Sequence, residues 1–337
     1  MKGSENDLPE PIRYRHWLQK LYLKLHYRKF ERRLAGQKRI SGRVVSIGNL
    51  SAGGTGKTPL GIWLLEAALK HGYRPAVVLR GYGGKAASSG GLAFDGESFC
   101  MDATWSGDEA QLYHVPGARV IVGADRFAAI QRFGQECDFF VLDDAFQNPS
   151  LFRDLDIVLI DATQALGSAL IPLGKFREPL GALQRASAVV LTRTDLAGER
   201  ARQWRDAIGN AFPHIPIWDS VHEPGAVRPA LNACPVVAAS GIGNPAGFES
   251  TLASAGFSII QHFVYRDHYR YSISDLRKWQ KGYPVITTEK DLVRIRSLAT
   301  VHGMEEKRPD RIHLHGIYTL PVRISMDFRE LERLVFA

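Results

Sequence analysis

The chain has 337 residues, 45% of them apolar and 23% charged, with a formal net charge of +8. This composition excludes a disordered chain; no apolar run approaches the roughly 20 residues that a bilayer crossing needs, and the polar first ten residues lack the form of an export signal. Cys100, Cys137 and Cys234 stand far apart, which excludes a zinc or dithiol spacing and fits reduced thiols.

The charge is concentrated at one end. The first 40 residues carry eleven Lys or Arg against four Asp or Glu, while the remaining 297 carry 32 against 31. Over 11–34, Trp17, Leu18, Leu21, Tyr22, Leu25, Phe30 and Leu34 recur every three or four positions with cations between them, which predicts an amphipathic helix. Three uses fit such a helix. It can lie in a bilayer interface, where each cation gains about 1 kcal/mol near anionic headgroups. It can pack on the domain with its basic face in water, or meet nucleic-acid phosphates.

After Gly42 the pattern becomes α/β. Strands are predicted over 43–47, 76–79, 119–122, 139–142, 157–160, 188–191 and 236–239, with a helix over 58–71. The Ser-, Ala- and Gly-rich stretch 85–96 reads as a flexible loop or hairpin. Alternation of strands and helices predicts a largely parallel sheet with helices on both faces. The expected organisation is a basic helical region over 1–40, a nucleotide-binding domain over 41–165 and a smaller C-terminal α/β subdomain over 166–337, with the change near Gly167, Pro172 and Pro179.

Between the first strand and the first helix of this region lies Gly48-Asn49-Leu50-Ser51-Ala52-Gly53-Gly54-Thr55-Gly56-Lys57-Thr58-Pro59. Glycines allow consecutive backbone N–H groups to converge on phosphate oxygens, and the following helix start adds partial positive charge. In this P-loop context Lys57 reaches the β- and γ-phosphates and the Thr58 hydroxyl joins the Mg²⁺ shell. Ser51 occupies the first glycine position of the usual G-x-x-x-x-G-K-[ST] pattern. The form resembles the P-loops of partner-activated ATPases, but Ala52 stands where those carry a lysine.

Phosphoryl transfer also needs carboxylates. Asp143 and Asp144 follow the apolar strand over 139–142, at the sheet edge where ligands bind in open parallel sheets, although such acids also begin ordinary solvated loops. Gly107-Asp108-Glu109 can equally complement a helix dipole, and Asp267-His268 is either a carboxylate–imidazole pair or a polar loop. Thr192-Arg193-Thr194-Asp195 at a strand end has some likeness to a guanine-reading motif without its lysine. It supports the alternative of a membrane-recruited P-loop ATPase or GTPase switch that transfers no phosphate to lipid.

Taken together, these segments resemble the tetraacyldisaccharide 4'-kinase (lipid A 4'-kinase) family, from the basic helix to about Ile295. The likeness is carried by Ser46-Ile47-Gly48-Asn49 with the glycine turn, Arg80-Gly81-Tyr82-Gly83, Gly107-Asp108-Glu109, Asp125-Arg126 and Asp143-Asp144-Ala145-Phe146-Gln147. It continues in Gly174-Lys175-Phe176-Arg177-Glu178-Pro179-Leu180, Gly241-Ile242-Gly243-Asn244-Pro245, Asp267-His268 and Thr288-Glu289-Lys290-Asp291. Ala145, Asn148 and Ala110 depart from the family's Gly, His and Pro.

The resemblance implies a P-loop domain joined to a smaller subdomain by a strand linker, with the substrate cleft between them. It further implies ATP and Mg²⁺ as cofactors and a lipid A disaccharide 1-phosphate as acceptor. The expected place of work is the cytoplasmic face of a Gram-negative-type inner membrane, engaged through 11–34, with no nucleic acid and no obligate protein partner. Carried over by position, Asp108 is the expected base with His268 beside it. Gly53, Gly54, Thr55, Gly56, Lys57 and Thr58 hold phosphates. Thr58, Asp143, Asp144 and Glu178 serve the metal, and Arg80, Gln147 and Arg177 surround the transferred group, with Arg177 suited to its developing charge.

Overall fold

The computed structural model describes residues 16–267, 269–279, 282–302 and 316–337. Its strands are β1 Arg43–Asn49, β2 Pro75–Leu79, β3 Gly91–Phe94, β4 Arg119–Val122, β5 Phe139–Asp143, β6 Leu155–Asp161 and β7 Ala188–Thr192. They continue as β8 Ile217–Asp219, β9 Val221–Pro224, β10 Pro235–Ser240, β11 Ser258–Val264, β12 Val285–Thr287, β13 Ile317–Thr319 and β14 Val322–Ser325. The helices are α1 Trp17–Ala35, α2 Lys57–Lys70, α3 Ala103–Ser106, α4 Arg126–Phe133, α5 Thr194–Ala197 and α6 Glu199–Ala211. They are followed by α7 Pro245–Ser254, α8 Ile273–Trp279, α9 Glu289–His302 and α10 Arg329–Phe336.

Among the described residues the larger sheet has eight strands in the order β3-β4-β2-β5-β1-β6-β7-β8. All its pairings are parallel except that of β3 with β4. Successive residues of a strand face opposite sides, so a sheet covered on both faces shows unbroken apolar runs. That is what β5 does. Phe139 and Val141 join the core containing Leu60 and Leu64 of α2, whereas Phe140 and Leu142 join the core containing Ala129 and Ile130 of α4. Beneath β6 and β7, Val158, Ile160, Val189 and Leu191 pack with Trp204 and Ile208 of α6 and with Leu23 of α1.

The larger sheet extends past the expected subdomain boundary. Residue 165 lies in the connection between β6 and β7, and β7 and β8 belong to the same sheet as β6. Pro172 and Pro179 lie in the excursion between β6 and β7, so the glycine and proline punctuation marks a loop over the sheet edge. A smaller, all-parallel sheet, β11-β10-β12-β13, follows, and the antiparallel pair β9–β14 connects the two bodies. The chain then returns to the first body, where Leu331 and Val335 of α10 enter the core of α2.

Two further differences are local. The 85–96 stretch contains a 3-10 turn and the edge strand β3, which pairs with the distant β4 instead of folding into a hairpin. In α1 the buried positions are Gln19, Leu23 and Phe30, while Trp17, Leu21, Leu25 and Leu34 are exposed. Residues 11–15 of the expected helix lie outside the described residues. No helix among the described residues is long and apolar enough to cross a membrane.

Candidate active site

The glycine turn leaves the centre of the larger sheet, because β1 lies between β5 and β6. Gly56 is the N-cap of α2 with φ 90° and no side-chain cap. A Cβ at this position would stand 2.6 Å from His222 Nε2, so both the left-handed backbone and the close approach require glycine. A helix start without a side-chain cap keeps its first N–H groups available for an anion. The side chains at the turn point toward it: Asn49 Nδ2 donates to Thr55 Oγ1 at 3.1 Å, and Lys57 Nζ lies 3.4 Å from Asp144 Oδ1.

Asp143 and Asp144 emerge at the end of β5 beside this turn and behave differently. Asp143 is almost fully buried. Its Oδ2 accepts the Tyr113 hydroxyl at 3.1 Å, while its Oδ1 is buried without a hydrogen-bond partner. Burial, reinforced by the nearby Glu109 and Asp144 carboxylates and opposed by Lys57, pushes its carboxyl up to about 6. Asp144 has φ 47°, a left-handed conformation that aspartate tolerates. Burial opposes its ionisation, but Lys57 and Arg177 prevail and hold its carboxyl far below the usual range; Arg177 donates to both oxygens at 2.9 Å. The backbone that aims the two acids is held by Arg126, which donates to the Asp143 carbonyl at 2.6 Å. Asp125 caps the same helix through Ala128 N, so the Asp125-Arg126 pair orients the acidic turn.

A buried carboxylate oxygen without a partner, beside the Thr58 position that opens α2, fits a small hard cation completed by phosphate and water oxygens. Among the described residues no group of three or more His, Cys, Asp or Glu is arranged as a metal cage.

Glu178 stands apart from these acids. It is fully buried and accepts two hydrogen bonds from Arg185, at 2.9 and 3.0 Å, and one from Gln147 Nε2 at 3.0 Å. His26 of α1 lies 3.1 Å from the same carboxylate. Both oxygens are thus occupied by the protein's own donors. Glu178 fastens α1 behind the site, its carboxylate shared by Arg185, Gln147 and His26. Gln147 also donates to the Asn49 carbonyl at 2.8 Å, tying the acidic turn to the end of β1.

Three cavities meet here. The first, 320 Å³, is lined by the glycine turn, Lys57 and Thr58 on one side and by Ile242, Asn244 and Phe248 of the smaller body on the other. The second, 570 Å³, contains Arg33, Arg80, Gln147 and Arg126, and shares Asp143, Asp144, Arg177, Glu109 and Asp267 with the first. The third, 870 Å³, shares Tyr82 and Gly107 with the second and contains Asp108. One cleft therefore runs between the two bodies, with the acids and Arg177 at its narrow junction.

Asp108 is held from across this cleft. Its Oδ2 accepts from Arg294 Nε at 2.6 Å and its Oδ1 from Glu109 N at 3.1 Å. Lys290 Nζ reaches Glu109 at 3.1 Å and Asp267 at 3.8 Å. His268 lies outside the described residues.

A family model described as tetraacyldisaccharide-1-P 4'-kinase matches residues 13–337. The chain belongs to this 4'-kinase family. A tetraacyldisaccharide 4'-kinase of Syntrophus aciditrophicus is 38% identical over 296 residues, covering 79% of each chain. One of Desulfotalea psychrophila is 32% identical over 335 residues, covering 92% of this chain and 91% of its own. The fold is similar to the crystal structure of Aquifex aeolicus LpxK in complex with ATP, with a TM-score of 0.68 and 24% identity over 94% of this chain and 96% of that one.

Several residues of this 4'-kinase site carry no signal in the sequence: Tyr113 on Asp143, His26 and Arg185 on Glu178, and Arg294 on Asp108. Tyr113 and Arg185 look like ordinary residues of short irregular segments. Arg294 becomes visible only when α9 is placed against Gly107-Asp108-Glu109.

Proposed function

We infer that this chain transfers the γ-phosphoryl group of ATP to the 4'-hydroxyl of a tetraacyldisaccharide 1-phosphate, a step of lipid A biosynthesis. The observation that carries the chemistry is the cleft junction, where Asp143, Asp144 and Arg177 border both the phosphate-binding cavity and the cavity leading to Asp108. A donor phosphate and an acceptor hydroxyl entering from opposite ends meet there. The alternative of a switch without lipid transfer leaves the second and third cavities unused and is not favoured by family membership.

The roles follow from chemistry. The N–H groups of Gly54, Thr55 and Gly56 and the Lys57 ammonium receive the nucleotide phosphates, with Lys57 leaving Asp144 to do so. Thr58, Asp143 and Asp144 would hold Mg²⁺, which would screen phosphate charge there. Arg177, fixed by Asp144, faces the transferred group, and Arg80 lines the same cavity. Asp108 takes the proton of the 4'-hydroxyl as its oxygen bonds to the γ-phosphorus and the bond to ADP breaks. For this the Asp108–Arg294 pair must open, with His268 as its partner in the reacting state.

For the acceptor, the exposed Trp17, Leu21, Leu25 and Leu34, with Lys20, Lys24, Arg28 and Arg32 also exposed on α1, suit the anionic surface of the inner membrane's cytoplasmic face. The helix would lie in the interface there and present the cleft to the lipid. An acceptor analogue with hydrogen in place of the 4'-hydroxyl tests the transfer. It should compete with the natural lipid and gain no phosphate; phosphorylation of this analogue would contradict the assignment.

A further inference from the structure

Gly53 and Gly54 present a problem that packing does not solve. A Cβ at either position would meet nothing within 4 Å, and Gly53 has φ 120°. Two glycines in open space sample many conformations, yet phosphate binding needs their N–H groups fixed in advance. The restraint comes from two side chains on carbonyl oxygens. Asn49 Nδ2 approaches the Gly53 carbonyl at 3.4 Å. Arg193 Nη2 donates to the Gly54 carbonyl at 2.9 Å, while its Nη1 donates to Asp161 Oδ2 at 2.6 Å.

The Arg193–Asp161 pair is itself anchored. Arg193 and Asp161 side chains are 12% and 4% exposed. The other Asp161 oxygen accepts from Thr163 N at 3.1 Å and Thr163 Oγ1 at 2.7 Å. Asp161 pairs in register with Thr192 across β6 and β7, so the guanidinium extends from the carboxyl ends of two paired strands. In a planar trans peptide the C=O and the next N–H point in opposite directions. Holding the Gly54 carbonyl therefore sets the Thr55 N–H, and holding the Gly53 carbonyl sets the Gly54 N–H.

We propose that Arg193 is a positioning residue for phosphoryl transfer, a clamp from the β6–β7 edge that orients the glycine turn for the nucleotide phosphates. The inference rests on the reading of residues 51–58 as the phosphate site. It gives the Thr192-Arg193-Thr194-Asp195 turn a task other than base recognition: Asp195 is exposed and lies outside the cavity lining, whereas Arg193 borders it. The planar fork matters, since one donor must serve Asp161 and another Gly54, which a lysine ammonium cannot do in this geometry.

The test compares steady-state kinetics of Arg193→Ala, Arg193→Lys and Lys57→Ala at varied ATP and varied lipid acceptor. Arg193→Ala should raise KM for ATP about tenfold and leave KM for the acceptor unchanged. Millimolar guanidinium should restore part of the loss, and Arg193→Lys should recover less than half of it. An ATP KM within twofold of wild type in Arg193→Ala overturns the clamp. So does an unrescued loss in both KM values with a lowered Tm, the mark of a merely structural residue. Lys57→Ala separates the two levels: if it too retains the wild-type ATP KM and kcat, the phosphate-site reading itself fails; if it is impaired while Arg193→Ala is normal, only the clamp does.

Discussion

Asp143→Asn should make the metal-free protein more stable while removing its activity. The carboxyl is buried and unsatisfied at Oδ1, and burial raises its pKa from 3.8 to about 6. That shift corresponds to about 3 kcal/mol, at about 1.4 kcal/mol per unit. Because the folded value lies above the unfolded one, the folded state holds the proton more tightly. Stability from this group is therefore full below pH 4, falls as pH rises to about 6, and stays lowered above that. Asparagine keeps an acceptor for the Tyr113 hydroxyl and carries no charge, so the variant lacks this slope. In EDTA, unfolding followed between pH 4 and pH 8 should show matching stability at the acid end. At pH 8 the variant should be ahead by about 3 kcal/mol, or roughly 6 °C at ~2 °C per kcal/mol for a body of this size. Adding Mg²⁺ and ATP should reverse the order, since binding stabilises only the protein that retains its ligand. An Asn variant that is less stable at pH 8, or a difference that does not change with pH, would refute the burial argument.

Other consequences are as direct. Below pH 6 wild-type Asp143 is increasingly protonated in the metal-free enzyme, so the Mg²⁺ concentration for half-maximal rate should rise as pH falls through that value; a flat profile would remove Asp143 from the metal shell. Glu178→Ala strips the fully buried partner of Arg185 and His26 and should cost about 3–5 kcal/mol in urea unfolding, whereas a change under 1 kcal/mol would mean α1 is fastened elsewhere. Replacing Trp17, Leu21 and Leu25 together with serine removes apolar surface that is exposed among the described residues. Flotation with anionic vesicles should drop at least tenfold with Tm unchanged, and undiminished flotation would place the membrane contact elsewhere.

Much of the architecture was legible because strand signals survive burial on both faces. The runs at 139–142 and 157–160 are continuously apolar and mostly β-branched or aromatic, as a parallel sheet between helix layers demands. β3 was hidden because Gly90 and Gly91 suppress the pattern, and β8 because three residues are too few to show one. The end of the first body is hard to read for a related reason: proline and glycine report a turn, but not whether the next strand rejoins the same sheet. In the site, the glycine turn and the two aspartates were visible from local order alone. For Glu178, sequence spacing does not reveal that His26, 152 residues away, shares its carboxylate. The hold of Arg294 on Asp108 spans 186 residues and belongs to tertiary structure alone.

The central claim is that one cleft brings a nucleotide phosphate to a lipid hydroxyl under a carboxylate base. Its most direct test is transfer from γ-labelled ATP to purified tetraacyldisaccharide 1-phosphate in mixed micelles, with Asp108→Ala alongside. The account predicts one labelled phosphate per lipid for the wild type, and a turnover lower by about 10²–10⁴ in the variant with KM for ATP nearly unchanged. ATP hydrolysis that leaves the lipid unlabelled, or an Asp108→Ala enzyme that labels it at the wild-type rate, would contradict it.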